Sequence, residues 1–333
     1  MNYKKRIERV RELLDKKNIP VILIKSPSNI FYLTGLLDIE GTLIVDPQNI
    51  ILFVSGIYYQ EVVDIAHFKM EIVLHKKEEF GKFLKRYKKI GVVETEISLA
   101  YYNLVSHSNK VIPLKDFIKE IRMTKDEEEI TFIKKALTIN KMVFNEIKNC
   151  VEEGLTETML SGHIHYLIRR YGGRREAFEP IVASGTHSAY PHHKNRNKKI
   201  EKGKPLIVDA GVDYNGYKSD LTRTFFPGGT QYNKFMDYFK ILKDILECVK
   251  EFINTGKTGE EIYNYALALL KKRNIDRYFV HGLGHGVGID VHELPVLAPG
   301  SKDVIKDGCV FTVEPGIYIP GEGGIRLEEM VIL

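Results

Sequence analysis

Apolar positions in the first third of the chain switch between helical and strand-like spacing. In MNYKKRIERVRELLDKK, Ile7, Val10 and Leu14 recur at the spacing of one helical face. Three runs rich in β-branched residues follow, PVILIK, GTLIVD and NIILFV, and each predicts a strand. The alternation of helix and strand predicts a small α/β domain over residues 1–118.

A charged stretch, KEIRMTKDEEEI, interrupts this pattern and predicts a domain boundary. Thr124 has the side chain of a helix N-cap, and Glu127 stands three residues later, where a capping box has its acid. Apolar residues at helical spacing follow. We therefore expect a linker over residues 119–126 and a second domain over residues 127–333.

The second domain has long helical patterns and short strand patterns in separate blocks. Helices are predicted up to about Val151, from about Thr156 to Arg170, and as a pair over roughly Tyr232 to Arg273. Strand-like runs lie between these blocks and fill the glycine-rich end of the chain. This order predicts an α+β domain whose helices are segregated from a largely antiparallel sheet.

Composition and charge exclude several kinds of partner. The chain has 333 residues and a net charge of +5, which is too small at this length to indicate general affinity for nucleic acid. The basic run over residues 193–199 is therefore predicted to be a solvated loop. No apolar run approaches the roughly 20 residues of a membrane span, and the N-terminal segment does not have the pattern of a signal peptide. We expect neither a nucleic-acid partner nor a membrane.

The three cysteines are far apart in the sequence. Cys150, Cys248 and Cys309 form no CxxC pair, so neither a disulfide framework nor a thiolate zinc site is indicated. We therefore expect a reducing, cytoplasmic compartment.

Two carboxylates flank a predicted hairpin in KPLIVDAGVDYNGYKSDLTRTFF. Asn215 and Gly216 are the preferred central pair of a type I′ turn, and the register they set pairs Asp209 with Thr222. Asp220 then lies on the same face as Asp209, diagonally across the ladder, where the two charges repel unless a cation lies between them. The hairpin alone leaves open an alternative in which Asp220 is solvated and no ion is bound.

Histidines and glycines are concentrated in VHGLGHGVGIDVHELP. The glycines exclude a stable helix, and they do not form the G-x-G-x-x-G pattern of a dinucleotide-binding loop. Close approach of the backbone around a histidine ligand fits them better. Of His281, His285 and His292, we expect at least one to be functional.

The last segment, FTVEPGIYIPGEGGIRLEEMVIL, repeats the paired carboxylates. Two strand-like arms surround a turn, and a hairpin centred near Gly321 brings Glu314 opposite Glu328. Alternation alone leaves Glu329 as an alternative to Glu328. Two facing acids again destabilise a sheet unless they share a cation or a proton.

Four carboxylates and one imidazole form a donor set suited to two divalent ions, Mn²⁺ or Co²⁺ first, with Fe²⁺ and Zn²⁺ as alternatives. Calcium loops lack the histidine, and structural zinc sites prefer sulfur.

The donors occur in the settings VDAG, SDLTRTF, HGLGHGVG, VEPGIY and IRLEE, which closely resemble those of the M24 metallopeptidases, the Xaa-Pro dipeptidases and Xaa-Pro aminopeptidases. IPVILIKSPSNIFYLTG also resembles the start of that family's creatinase-type N-terminal domain, and IVASGTHSAYPHH its loop before the metal-binding hairpin.

This resemblance, which spans nearly the whole chain, implies a pita-bread catalytic domain and a homodimer. It implies that the metal ligands are Asp209, Asp220, His285, Glu314 and Glu328, and it selects Glu328 over Glu329.

The resemblance also implies roles for residues around the metals. His192 and His292 are expected to face the substrate, and Arg326 to support the metal site beside Glu328; an alternative for Arg326 is a cross-strand salt bridge. Glu314 is expected to act in catalysis as well as in metal binding. The remaining histidines considered are left structural or unassigned: His163, His165, His187 and His281.

The sequence departs from some prolidases in one respect. They carry an arginine near the HExP motif that holds the free carboxylate of a dipeptide, whereas this chain has Val296 there and no arginine over residues 278–325. The choice between dipeptidase and aminopeptidase stays open. The family pattern also continues briefly beyond the position of Leu333.

The functional hypothesis is hydrolysis of the peptide bond between an N-terminal residue and proline, with a metal-bridging hydroxide as nucleophile. The nitrogen before proline carries no N–H, so an ordinary peptidase loses a contact there and a dedicated enzyme is reasonable. Glu314 would carry the proton from water to the leaving nitrogen. Alternatives are a metal-dependent aminopeptidase of broader specificity and a non-catalytic binding protein with the same fold.

Overall fold

The computed structural model describes residues 1–115, 117–151, 154–228 and 234–333. The chain divides into two compact units, Met1–Ile121 and Arg122–Leu333. Within the described ranges, none of the helices has the length and apolar character needed to cross a membrane.

The first unit contains helices around one mixed sheet. Its elements are α1 (Tyr3–Lys16), β1 (Ile22–Ile24), α2 (Pro27–Thr34), β2 (Gly41–Val45), β3 (Ile50–Val54), α3 (Gly56–Ile65), β4 (Glu71–Leu74), α4 (Lys77–Leu84), β5 (Lys89–Val93), α5 (Leu99–Ser106), β6 (Lys110–Leu114) and α6 (Phe117–Arg122), which ends at the boundary. The strand order is β4-β3-β2-β1-β5-β6. Strand β1 runs parallel to β5 and antiparallel to β2. The predicted α/β character of this region is therefore confirmed.

Sequence patterns account for the first elements. Helix α1 begins after Asn2, whose side chain accepts a hydrogen bond from the backbone N–H of Lys5, and it buries Ile7, Val10 and Leu14 as predicted. The three runs rich in β-branched residues form the central strands β1, β2 and β3, where most of their side chains are buried.

Among its described residues, the second unit has four long helices and many short strands. Its elements are α7 (Glu127–Cys150), α8 (Glu157–Arg170), β7 (Arg175–Glu176), β8 (Ile181–Ser184), β9 (Leu206–Ala210), β10 (Val212–Tyr214), β11 (Tyr217–Lys218), β12 (Leu221–Phe225), α9 (Lys234–Phe252), α10 (Gly259–Lys272), β13 (Gly284–Gly286), β14 (Glu293–Leu297), β15 (Val310–Val313), β16 (Gly316–Ile319), β17 (Gly323–Arg326) and β18 (Glu329–Ile332). The predicted start of the second helical pair at Tyr232 lies outside the described residues.

The two largest hydrophobic clusters described in this unit each join a helical pair to strands. Residues of α7 and α8 pack against strands β8, β9, β10 and β12, and residues of α9 and α10 pack against the C-terminal strands. Every strand pairing described in the unit is antiparallel. The structure thus confirms an α+β arrangement in which helices are separate from antiparallel sheets.

The first helix of this unit begins two residues later than predicted. Its N-cap is Asp126 rather than Thr124, and the capping box is completed by Glu129 rather than Glu127. Thr124 instead forms an isolated antiparallel bridge with Cys309. Both acid pairs have the same spacing, so the tertiary bridge decides between them.

Both predicted hairpins have the expected register. Asn215 and Gly216 have positive φ angles of 51° and 84°, as a type I′ turn requires, and Asp209 pairs with Thr222. In the second hairpin, Ile319 pairs with Gly323 around the predicted centre.

The basic run over residues 193–199 is only partly a solvated loop. His193 is buried, whereas Lys194 and Arg196 are exposed. The Asn195 side chain accepts a hydrogen bond from the backbone N–H of Val182 and donates one to a backbone carbonyl. The prediction is therefore wrong for the anchored positions, because their partners lie in other parts of the chain.

Candidate metal centre

Asp209 and Asp220 come together through the first hairpin. Asp209 lies in β9, and Asp220 directly precedes β12, the strand that pairs with β9. Because Asp209 faces Thr222, Asp220 is its diagonal neighbour on the same face. Both aspartates line one cavity and are largely buried.

Glu314 and Glu328 come together through the second hairpin. Glu314 follows β15, and Glu328 precedes β18. The pairings on either side, Val313 with Glu329 and Gly316 with Arg326, keep one register. Both Glu314 and Glu328 therefore line the same cavity as the aspartates.

The structure distinguishes the two neighbouring glutamates that alternation left open. Glu328 is 2% exposed and accepts a hydrogen bond of 2.8 Å from the Thr222 hydroxyl. Glu329 points to the other face, where its carboxylate lies 2.6 Å from Arg223 Nη2. Glu328 therefore joins the cluster, and Glu329 belongs to a partly exposed ion pair.

His285 reaches this cluster from strand β13. Its Nε2 lies 3.8 Å from Asp220 Oδ2 and 3.7 Å from Glu314 Oε1. Its Nδ1 donates to the carbonyl oxygen of Gly286 at 3.1 Å, which leaves a lone pair on Nε2 toward the carboxylates. A Cβ atom at Gly284 would overlap a backbone carbonyl of β15, so the close backbone approach predicted for these glycines is confirmed.

The cavity has a volume of about 370 Å³ and combines polar and apolar walls. Beyond the five residues described so far, it is lined by further histidines, an arginine and apolar side chains, among them His192, His281, His292, Arg326, Phe178, Ile181 and Val291. All of the predicted metal-binding and substrate-facing residues therefore lie around one cavity.

The carboxylates of the cluster are held in unfavourable proximity. Burial, followed by the charge of Glu328, raises the pKa of Asp220 well above its ordinary value. Burial, followed by the charge of Glu314, raises the pKa of Glu328 in the same way. For Glu314, burial is again the largest cause and raises the pKa to about 7. A shared cation would oppose all three shifts, because it stabilises the ionised forms.

Two buried carboxylate oxygens support a metal ion on independent grounds. Asp209 Oδ1 and Asp220 Oδ1 are buried and have no hydrogen-bond partner among the described residues. Donor atoms of Asp220, His285 and Glu328 all lie within 4.8 Å of one another. Buried oxygens without partners are costly in a folded protein, so the residues present fit a divalent cation.

The imidazoles near the cluster are held in the neutral form. Burial lowers the pKa of His285 to about 4, and the neighbouring His292 adds to the effect. Burial also lowers the pKa of His281 to about 4. A neutral imidazole has the lone pair that a metal ligand needs.

Arg326 links the cluster to its surroundings through four groups. Its Nη2 donates to Asp209 Oδ2 at 2.6 Å, and its Nε donates to the Thr222 hydroxyl at 3.1 Å. Its Nη1 donates to the Tyr318 hydroxyl at 2.9 Å and to the Pro191 carbonyl at 3.1 Å. The ion pair with Asp209 is therefore observed, and the role of Arg326 in supporting a metal site stays a prediction.

Sequence reasoning missed Thr222 and Tyr318. Thr222 could have been found, because the predicted register places it opposite Asp209. Tyr318 also lies 2.9 Å from His281 Nε2, so it connects Arg326 with a histidine that had been left unassigned.

A second histidine cluster lies outside this cavity lining. Glu157 lies 2.8 Å from His187 Nδ1 and 2.8 Å from His193 Nε2. His187 had been left unassigned, and the partner glutamate was not predicted. Elsewhere, His165 lies beside Glu176, and His163 stacks with Tyr166.

Comparison with known families covers both parts of the chain. The model of Metallopeptidase family M24 matches residues 131–333, and that of the Creatinase/Prolidase N-terminal domain matches residues 6–124. The predicted fold class, a creatinase-type domain followed by an M24 catalytic domain, is therefore confirmed.

Individual relatives match along nearly their whole length. An Xaa-Pro dipeptidase of Pyrococcus furiosus is 33% identical over 99% of this chain and 95% of its own length. A putative Xaa-Pro aminopeptidase of Mycoplasma pneumoniae is 32% identical over 97% and 92%. The solved structure of an Xaa-Pro dipeptidase from Bacillus anthracis has a TM-score of 0.94 at 30% identity, over 100% of this chain and 95% of its own.

Proposed function

Since the chain belongs to Metallopeptidase family M24, we propose that it hydrolyses the peptide bond between an N-terminal residue and proline. The single observation that carries the proposal is the convergence of four carboxylates and one imidazole on one cavity, where two carboxylate oxygens have no hydrogen-bond partner among the described residues. The Xaa-Pro peptidases among its relatives support proline as the second residue of the substrate.

We propose two divalent ions, Mn²⁺ or Co²⁺, held by this donor set. Hard carboxylate oxygens with one imidazole suit these ions. Structural zinc sites, in contrast, prefer sulfur ligands, which this donor set does not contain. When bound, such ions polarise the scissile carbonyl and make water acidic enough to attack at neutral pH. The proposed ligands are Asp209, Asp220, His285, Glu314 and Glu328.

The side chains around the donors have separate proposed roles. Glu314 accepts a proton from the attacking water and delivers it to the leaving nitrogen, a role that suits a carboxylate lining the same cavity as the other donors. His192 and His292 line the cavity and orient the substrate carbonyl. Arg326 fixes Asp209 through the 2.6 Å ion pair and leaves its other oxygen available.

The cations that line the cavity bear on the length of the proposed substrate. Arg326 is the only arginine or lysine among the described residues that line the cavity, and its guanidinium already donates to four groups. No second fixed cation of the described lining is therefore available for the free carboxylate of Xaa-Pro. We propose that Ala-Pro-Ala is cleaved as well as Ala-Pro.

Three further features belong to the proposal. We propose a homodimer, which is supported by large apolar side chains on the first unit such as Ile57, 82% exposed, and Leu99, 75% exposed. A cytoplasmic location is supported by three cysteines that form no disulfide among the described residues. We propose domains over residues 1–118 and 127–333, joined by a linker.

The test is release of free alanine by metal-stripped protein with and without added Mn²⁺ or Co²⁺. Ala-Pro, Ala-Pro-Ala and Ala-Ala-Ala serve as substrates. Metal-dependent release from both proline peptides supports the proposal, and release from Ala-Pro alone would restrict it to a dipeptidase. Equal release from Ala-Ala-Ala would indicate a broader aminopeptidase, and no release by folded, metal-loaded protein would overturn the proposal.

A further inference from the structure

Glu157 is a buried acid at the start of helix α8, outside the cavity lining. It is the first residue of the helix, after the N-cap Thr156, and its side chain is 0% exposed. Its carboxylate accepts four hydrogen bonds, two on each oxygen. Oε1 accepts from the Ser184 backbone N–H at 3.0 Å and from His187 at 2.8 Å, and Oε2 accepts from His193 at 2.8 Å and from the Arg196 backbone N–H at 3.1 Å.

These four bonds define the protonation of both histidines. Burial alone would raise the pKa of Glu157, but the hydrogen bonds outweigh it and lower the pKa, so the acid is ionised and can only accept. His187 must therefore donate from Nδ1 and His193 from Nε2. The two rings lie 4.4 Å apart between centroids. Each oxygen of this cluster already has two donors, in contrast to the unpartnered oxygens of Asp209 and Asp220.

The acid holds together a loop that carries His192. Its four partners all come from residues 184–196, and Glu157's own backbone N–H donates to the Lys198 carbonyl at 3.0 Å. Within the described part of the chain, the His192 side chain makes no hydrogen bond, although it lines the cavity. Its position must therefore be set by its neighbours in the sequence.

Both of these neighbours are anchored. On one side, the Pro191 carbonyl accepts from Arg326, which also binds Asp209 of the metal cluster. On the other side, the His193 ring donates to Glu157. His192 is thus fixed between one anchor on the metal cluster and one on helix α8.

We propose that Glu157 is a positioning residue for the peptidase reaction: through His187 and His193 it holds the turn that presents His192 to the substrate. The inference rests on the proposed function. Glu157 does not touch the substrate cavity, so its effect on turnover passes through the turn.

The kinetic test is a double-mutant cycle between Glu157→Gln and His192→Ala. The glutamine amide nitrogen replaces one of the two carboxylate oxygens and cannot accept from the two donors that bind there, so the turn loses part of its support. Alone, Glu157→Gln lowers kcat/KM by about 10- to 100-fold, because a misplacement of about 1 Å can cost a factor of this order. In the His192→Ala background the same change has less than about a twofold effect, whereas independent effects would multiply. Full multiplication would overturn the proposal.

Variants of His193 keep the test decisive if Glu157→Gln does not fold. In His193→Gln the amide nitrogen lies near the original Nε2 position and can still donate to the carboxylate. His193→Ala removes the donor. We expect the alanine variant to lose at least about 10-fold more kcat/KM than the glutamine variant, for the same positional reason. Equal losses would show that the hydrogen bond to Glu157 is irrelevant to turnover.

A measurement that needs no activity separates this inference from the proposed function. Trypsin can cut the loop after the exposed Lys194 and Arg196 if it opens. We expect Glu157→Gln to be cut there at least about 10-fold faster than wild type, since local opening sets the cleavage rate. Unchanged cleavage, or loss of a tightly bound metal ion from Glu157→Gln alone, would overturn the positioning role. Absence of hydrolysis by wild type, with the protease difference intact, would instead overturn the proposed function.

Discussion

A buried ionic network next to the active site predicts how the second unit responds to acid. Glu293 directly follows His292, which lines the cavity, and lies 3.1 Å from Lys125 Nζ; it also pairs with Arg122. Arg122 further lies 2.8 Å from Asp290. Burial alone would raise the pKa of Glu293, but the charges of Arg122 and Lys125 outweigh it and lower the pKa to about 2 from an ordinary value of 4.5.

The sign and size of the effect follow from this shift. A lowered pKa in the folded state stabilises the protein above the unfolded-state value of 4.5, and this stability is lost as the pH falls toward 2. The full contribution is roughly 3 kcal/mol, of which about 2 kcal/mol is lost between pH 7 and pH 3. For a unit of about 200 residues, this corresponds to a decrease in Tm of about 4–8 °C.

The assay is thermal unfolding followed by circular dichroism at pH 7 and pH 3, in the presence of a chelator. Glu293→Gln should be less stable than wild type at pH 7 by about 3–5 kcal/mol, because the buried Lys125 loses its carboxylate partner and Arg122 keeps only Asp290. Its Tm should nevertheless decrease less between pH 7 and pH 3 than that of wild type.

The control is Glu247→Gln, which changes an exposed carboxylate that pairs with Lys250 at 3.1 Å. Exposed pairs contribute little, so this variant should follow the pH dependence of wild type. The carboxylates of the metal cluster are common to all three proteins and cancel in the comparison. An equal decrease in Tm for wild type and Glu293→Gln would refute the assignment of acid sensitivity to this network.

Three further predictions concern the active site. Glu328→Gln should lower kcat for peptide hydrolysis by at least about 100-fold, whereas Glu329→Gln should keep more than about half of the wild-type kcat. Equal losses in the two variants would contradict the assignment of Glu328 and Glu329 to different faces. Gly284→Ala should lower Tm and metal content, because its Cβ overlaps a backbone carbonyl. Gly282→Ala, whose Cβ has its nearest contact at 3.3 Å, should lower Tm less. Similar melting curves for the two variants would show that the close approach at Gly284 is unimportant. His292→Ala should lower kcat/KM by about 100-fold while elemental analysis finds the metal content of wild type; a parallel loss of metal would reassign His292 to the metal site.

The carboxylate pairs could be predicted because local turn chemistry sets their register. Asn215 and Gly216 need positive φ angles at both central turn positions, and this requirement leaves one pairing for Asp209. The face of Glu328 could not be decided in the same way, since Glu329 fits the alternation equally well. In the folded protein, Glu329 forms an ion pair with Arg223, 106 positions earlier in the chain, and Glu328 therefore faces the cavity.

The errors in the prediction arise where distant partners replace local ones. Thr124 has the spacing of a capping residue, but its bridge to Cys309 moves the start of the helix to Asp126. His193 belongs to a basic run that is typical of solvated loops. Its partner Glu157 lies 36 positions away, so no pattern within the run indicates that His193 is buried.

Calorimetric titration of Mn²⁺ into metal-free wild type and Asp209→Asn measures whether the four carboxylates and His285 bind metal ions. We expect two bound ions per wild-type chain. Asp209→Asn should lose at least one of them, because the amide replaces a carboxylate whose buried Oδ1 has no partner among the described residues. Absence of Mn²⁺ and Co²⁺ binding by folded wild-type protein, or full binding by Asp209→Asn, would contradict the claim that these carboxylates form a metal centre.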